Sequence, residues 1–121
     1  MDELALETLV RNSGGVLRDL MSLAQSACVE AYMNGSDIIS KAHADAAVDA
    51  FGRKHMQGLR PTELEVLQRV RASGTFVQTS EDDLALLMSR RVLEYVGSKE
   101  ERRYVVHPTI APFLKQLAGG W

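Results

Sequence analysis

One cysteine, Cys28, stands in 121 residues. A single thiol excludes an intramolecular disulfide framework and fits a reducing, cytoplasmic compartment. No histidine or basic residue neighbours it in sequence to activate the sulfur, so Cys28 reads as a small buried hydrophobe. Long apolar runs are also missing. Nothing approaches the roughly 18 residues that would span a bilayer, and no basic segment followed by an apolar one opens the chain. Charge of one sign is scarce as well: 14 basic residues face 16 acidic ones, a net of −2. A global attraction to nucleic acid or to an anionic membrane is not expected from that balance.

The motifs of common enzyme classes are absent too. There is no G-x-x-x-x-G-K-[ST] loop to cradle phosphates, no G-x-G-x-x-G, no G-x-S-x-G and no H-E-x-x-H. The three histidines, His43, His55 and His107, lie too far apart for metal-ligand spacing. No catalytic residue and no metal ligand is therefore assigned, and an autonomous enzyme is not expected. What is present is ordinary: 45% hydrophobic and 25% charged residues, the balance of a globular domain. The length fits one domain or two small modules, enough to hide roughly two-thirds of the unfolded surface.

Residues 2–11 are mostly helix formers, with acidic residues first and a basic one last, which suits the helix dipole. Gly14 and Gly15 stop this helix. Ser13 is placed to cap a second one running to about Met33, with Leu17, Leu20, Met21, Ala24, Cys28 and Ala31 as its buried face. Residues 34–37 end it, and a third helix runs from Ser40 or Lys41 to about His55 on a stripe of Ala44, Ala47, Val48 and Phe51. Together these make a compact helical module over residues 1–58, net −3, which Gly58 closes.

Residues 59–121 carry a net of +1. Thr62 and Glu65 have capping-box spacing, predicting a helix over 62–73 with Leu64, Leu67 and Val70 inward and Gly74 closing it. Residues 75–79 form a short extended piece. Ser80 and Asp83 start another helix, lined by Leu84, Leu87 and Met88 and ending near Arg90. The period then changes: residues 92–96 and 103–106 read as strands joined by a polar loop at 97–101. Pro108 presets a last helix with Ile110, Phe113, Leu114 and Leu117 toward the core, and Trp121 ends a tail that either frays or docks. The fold class is thus mostly α with a small β-hairpin: a three-helix bundle followed by a winged helix-turn-helix over residues 59–121.

Two stretches carry a resemblance. Ser13-Gly14-Gly15-Val16-Leu17-Arg18-Asp19-Leu20 resembles the sensor-2 region in the helical lid of AAA+ and STAND-type P-loop ATPases, where G-x-x-R puts an arginine at the start of a lid helix. Residues 87–95, then Arg103-Tyr104-Val105-Val106-His107-Pro108, resemble winged-helix segments that follow such lids in some bacterial ATPases. The resemblance implies a non-catalytic C-terminal regulatory region of a larger ATPase, with the Walker strands upstream and Met1 a start introduced by truncation. It implies Arg18 as the nucleotide-sensing residue, and an ATPase core or other subunits as partners. The chain alone binds no cofactor; ATP and Mg would come with an upstream P-loop domain.

Arg18 suits that role on its own chemistry. Guanidinium is always charged and forks to two acceptors. The positions one turn away hold Gly14, Gly15, Met21 and Ser22, so no facing carboxylate claims it. A second candidate surface is the wing, where Arg90, Arg91, Lys99, Arg102 and Arg103 could hold phosphates or a partner. Pairing with Glu94, Glu100 and Glu101 is the plainer role for those cations. Against DNA stand Glu81, Asp82 and Asp83, which open the would-be reading helix and repel a polyanion, and the short 74–80 linker that replaces a middle helix. A protein partner is expected ahead of DNA. The alternatives are a free-standing winged-helix DNA-binding regulator and an oligomerisation adaptor, and a homo-oligomer remains open. His107, before Pro108, reads as a structural cap, and His43 and His55 likewise as structural.

Overall fold

The computed structural model describes residues 1–119, so Trp121 and the docking reading of it lie outside the described residues. Six helices and one two-stranded antiparallel sheet make a mostly helical chain. It divides into two compact units, Met1–Lys54 and His55–Trp121, the division falling just ahead of Gly58.

The first unit holds α1 (Glu3–Asn12), α2 (Leu17–Met33) and most of α3 (Lys41–Met56). Asp2 caps α1, its Oδ1 accepting from the Leu4 N–H at 3.1 Å, while its own N–H donates to the Ile39 carbonyl at 2.9 Å. Ala5, Leu9, Leu23, Ala27, Ala44 and Ala47 form the core, with Leu20, Ile39, Val48 and Phe51 packed against it. Alanines dominate, and small side chains bring helix axes close.

Two expectations fail here, for one reason. Ser13 does not cap α2: it is buried and donates to the Val10 carbonyl at 2.7 Å, closing α1 instead. Gly14 and Gly15 then take positive φ (64° and 80°), and α2 begins at Leu17 behind Val16, which offers no side-chain cap. Nor is the expected face buried as a whole: of its six residues Ala31 is buried and Leu20 and Ala24 pack against the core, while the other three do not. Leu23, Ala27 and Ala31 turn inward, while Leu17, Met21 and Cys28 are exposed. α2 is apolar over more than half its circumference, and the stripe that met α1 and α3 was the one with the smaller residues. Cys28 is accordingly a surface thiol rather than a buried one.

The second unit holds α4 (Pro61–Ser73), α5 (Glu81–Met88), the hairpin β1 (Val92–Val96) and β2 (Arg102–Val106), and α6 (Ala111–Gly119). Its core joins Val66, Leu67 and Val70 of α4 to Leu86, Val92, Tyr104, Val106, Ile110 and Leu114. The strands pair Val92 with Val106 through to Val96 with Arg102. Gln68 Nε2 donates to the Leu114 carbonyl at 2.9 Å and ties α4 to α6.

Four details correct the sequence reading. Pro61 takes the first helical position, so α4 is capped at Arg60, whose N–H donates to Glu63 Oε1 at 3.1 Å, and not by Thr62 with Glu65. Residues 75–79 form no strand, because the Val77 N–H donates to Asp83 Oδ2 (2.9 Å) and not into a ladder. Phe76 nonetheless lies flat on Tyr104, ring centroids 4.2 Å apart, and covers that edge of the hairpin. In α5 it is Leu86 that is fully buried, with Leu84 and Met88 turned out, and in α6 Leu117 is exposed.

Candidate functional site

The first candidate lies at the start of α2. Arg18 is the second residue of the helix, exposed, with no ion pair or side-chain hydrogen bond among the described residues. No side chain caps the helix N-terminus it belongs to. The first N–H groups of a helix have no partner within it and carry the positive end of its dipole. An exposed guanidinium and a helix N-terminus without a side-chain cap thus share one end, flanked by Gly15, where a Cβ would meet nothing within 4 Å. That combination suits an anionic group of phosphate type. Asp19, the next residue, is buried.

The second candidate is the hairpin and its surroundings, where the five cations separate into different roles. Arg91 is half-buried, and its Nε donates to the His55 carbonyl at 2.8 Å, so it holds the end of α3. Arg90 is half-buried in the turn after α5, in left-handed backbone at φ 61°. Arg102 is exposed and sits 3.6 Å from Glu94. Arg103 lies over the Tyr95 ring, 5.4 Å from its centroid, a cation–π contact between residues directly paired across the strands. Lys99 is exposed at the hairpin tip with no ion pair among the described residues. Of the five, Lys99, Arg102 and Arg103 therefore remain exposed, Arg102 and Arg103 as successive residues of β2. Tyr95, Val96, Gly97, Glu101, Arg102 and Arg103 line a shallow hollow there.

The acidic start of α5 also differs from expectation. Asp83 is fully buried and ion-paired with Arg69, with Ser80 capping the helix through the Asp83 N–H. Asp82 accepts from Arg60 at 3.0 Å. Of three carboxylates, Glu81 alone projects without such a partner, so the repulsion anticipated for a polyanion is largely cancelled. What α5 presents outward is instead apolar: Leu84 is 40% exposed and Met88 84%. Sequence reasoning missed this face because it placed both residues in the core; the Leu84–Met88 spacing of four was the signal for a shared face, without its direction.

Arg60 bridges Glu63 and Asp82 and is held above its ordinary pKa, first by the hydrogen bond to Glu63. The Glu63 carboxyl is held below the usual carboxylate range, first by the backbone N–H of Arg60 and then by its guanidinium. His107 is the expected structural cap: buried, its Nδ1 lies 3.3 Å from the Thr109 N–H, which donates to it, and 2.8 Å from the Thr109 hydroxyl. His55 stacks beside it at 6.1 Å, and His43 Nδ1 accepts from the Ser40 N–H at 3.0 Å at the start of α3.

Among the described residues no group of His, Cys, Asp or Glu is placed to hold a metal ion, and no helix is long and apolar enough to cross a membrane. Comparison with protein-family models, with curated proteins and with solved structures found no match.

Proposed function

We propose that this chain is a non-catalytic regulatory region of an AAA+ or STAND-type ATPase: a three-helix lid that offers Arg18 to nucleotide, followed by a winged-helix module that engages a protein partner. The observation that carries the reading is the open end of α2, where an exposed, unpaired arginine stands beside an uncapped helix N-terminus. Arg18 would supply a bidentate, charge-assisted contact to a γ-phosphate oxygen held by the core, and would sense whether that phosphate is present. The ATP and magnesium belong to the core; no described residue of this chain is assigned to the metal.

The winged-helix part rests on the order α4, α5, β1, β2, α6 around one core, with Gly74–Phe76 along Tyr104 in the place of the third strand. A protein partner is favoured over DNA by the outward face of α5. A helix that reads bases presents polar side chains to them in its first turns. Leu84 and Met88, with Glu81 ahead of them, offer the chemistry of a protein contact.

The test is kinetic. In the ATPase whose reading frame carries this segment, Arg18→Ala should lower kcat about 10- to 100-fold, the loss of a charge-assisted contact made to the reacting phosphate. Circular dichroism and the unfolding midpoint should stay unchanged, since Arg18 supports nothing in its own unit. Unaltered turnover and nucleotide affinity in that variant would remove the assignment. A reading frame with no P-loop segment would do the same and favour the free-standing regulator.

A further inference from the structure

α2 carries an apolar face that its own unit leaves uncovered. Leu17 (69% exposed), Met21 (65%), Cys28 and Tyr32 (83%) follow one another along it. At about 100° per residue these four fall within a sector of roughly 60°, beside the buried stripe of Leu23, Ala27 and Ala31. Their spacings are four, seven and four, which read the same from either end of the helix. A twofold axis passing between Ala24 and Gln25, perpendicular to the helix, therefore sets Leu17 opposite Tyr32 of a second copy and Met21 opposite its Cys28. Each contact is then made twice, as a twofold interface requires. A dissimilar partner would need no such symmetry.

From this we infer that the chain forms a homodimer through antiparallel α2–α2 packing. Charge does not oppose the pairing. Arg18 lies about 70° from the centre of the stripe and Glu30 on the far side, so no like charges meet at its core. Ala24, beside the axis on the side of its own core, is small and leaves room for the second helix. With Val29 at its rim (51% exposed), the face offers apolar area on the order of 500 Å² per copy. A standard interface takes about 800 Å² from each partner, so the stripe supplies more than half of what a stable dimer needs.

The inference is independent of the nucleotide reading, because none of its contacts uses Arg18. Sedimentation equilibrium of the full chain at micromolar concentrations should give twice the 13.4 kDa protomer mass. Met21→Glu sets two carboxylates near the dyad and should weaken dimerisation about 100-fold or more. Met21 contributes little to the core of its own unit, so helicity by circular dichroism should be unchanged. Orientation is read by oxidation in a Cys28→Ser background. Gln25→Cys, exposed beside the axis, should cross-link across it, whereas Leu17→Cys, at the helix end, should not. A monomer throughout, a dimer indifferent to Met21→Glu, or efficient cross-linking of Leu17→Cys would each overturn the inference.

Discussion

Asp83 ties three parts of the second unit together. Its carboxylate accepts from the Val77 N–H of the 74–80 linker and from the Arg69 guanidinium of α4, while its own N–H donates to the capping Ser80 hydroxyl. Removing one member of a buried ion pair leaves the other's interactions unbalanced, at a cost of about 3–5 kcal/mol. Arg69 is partly exposed and can turn to solvent, so Asp83→Ala should fall at the low end of that range in a urea titration. Glu63 gives a pH-dependent counterpart. Its pKa is depressed in the folded chain, so its stabilisation is complete above the ordinary glutamate range and is lost as pH falls through the lowered value. Glu63→Gln should cost about 1 kcal/mol near neutrality. The difference between variant and parent should shrink as pH drops below about 4.3. Neither role was legible in sequence. Asp83 looked like an exposed first-turn acid, and the Thr62–Glu65 spacing concealed that Pro61, with its φ already helical, would move the cap to Arg60.

Among the elements, all six helices, the hairpin and its turn were readable because their signals are local: helix formers, glycines and the change from helical to alternating period. The facing of α2 was not. Its apolar residues cover two adjoining stripes, and periodicity marks both without ranking them. The choice depends on which side chains let α1 and α3 come close, and the alanine stripe won. Residues 75–79 show the complementary failure. Their composition permits a strand, but a buried carboxylate competed successfully for the Val77 N–H. The end of α4 was predicted correctly and yields a clean test. Gly74 has φ 70°, and a Cβ there would meet the Tyr104 carbonyl at 3.6 Å, an ordinary contact. Gly74→Ala should therefore cost only the backbone strain, about 1–2 kcal/mol, and Gly74→Asn clearly less. Unfolding midpoints of the two variants decide it.

At the scale of the whole chain, the charge balance remains the plainest guide to what it touches. A net of −2, with the α5 face apolar and Arg91 committed to a backbone carbonyl, leaves three exposed cations around the hairpin. Duplex DNA should show no saturable binding at physiological salt. A measured affinity falling steeply as salt rises would restore the DNA reading. The separation into a helical part and a mixed part was visible as a change in composition near Gly58. What each part meets was not, because exposure of Leu17, Tyr32 or Met88 is decided by packing that local sequence does not encode. Arg90 and Glu100 carry a last consequence. Both occupy left-handed backbone, φ 61° and 62°, where glycine sits with less strain. A population of variants selected only for heat resistance should drift to glycine at these two corners; one selected for keeping its binding partner should hold on to whichever of the two side chains that partner grips.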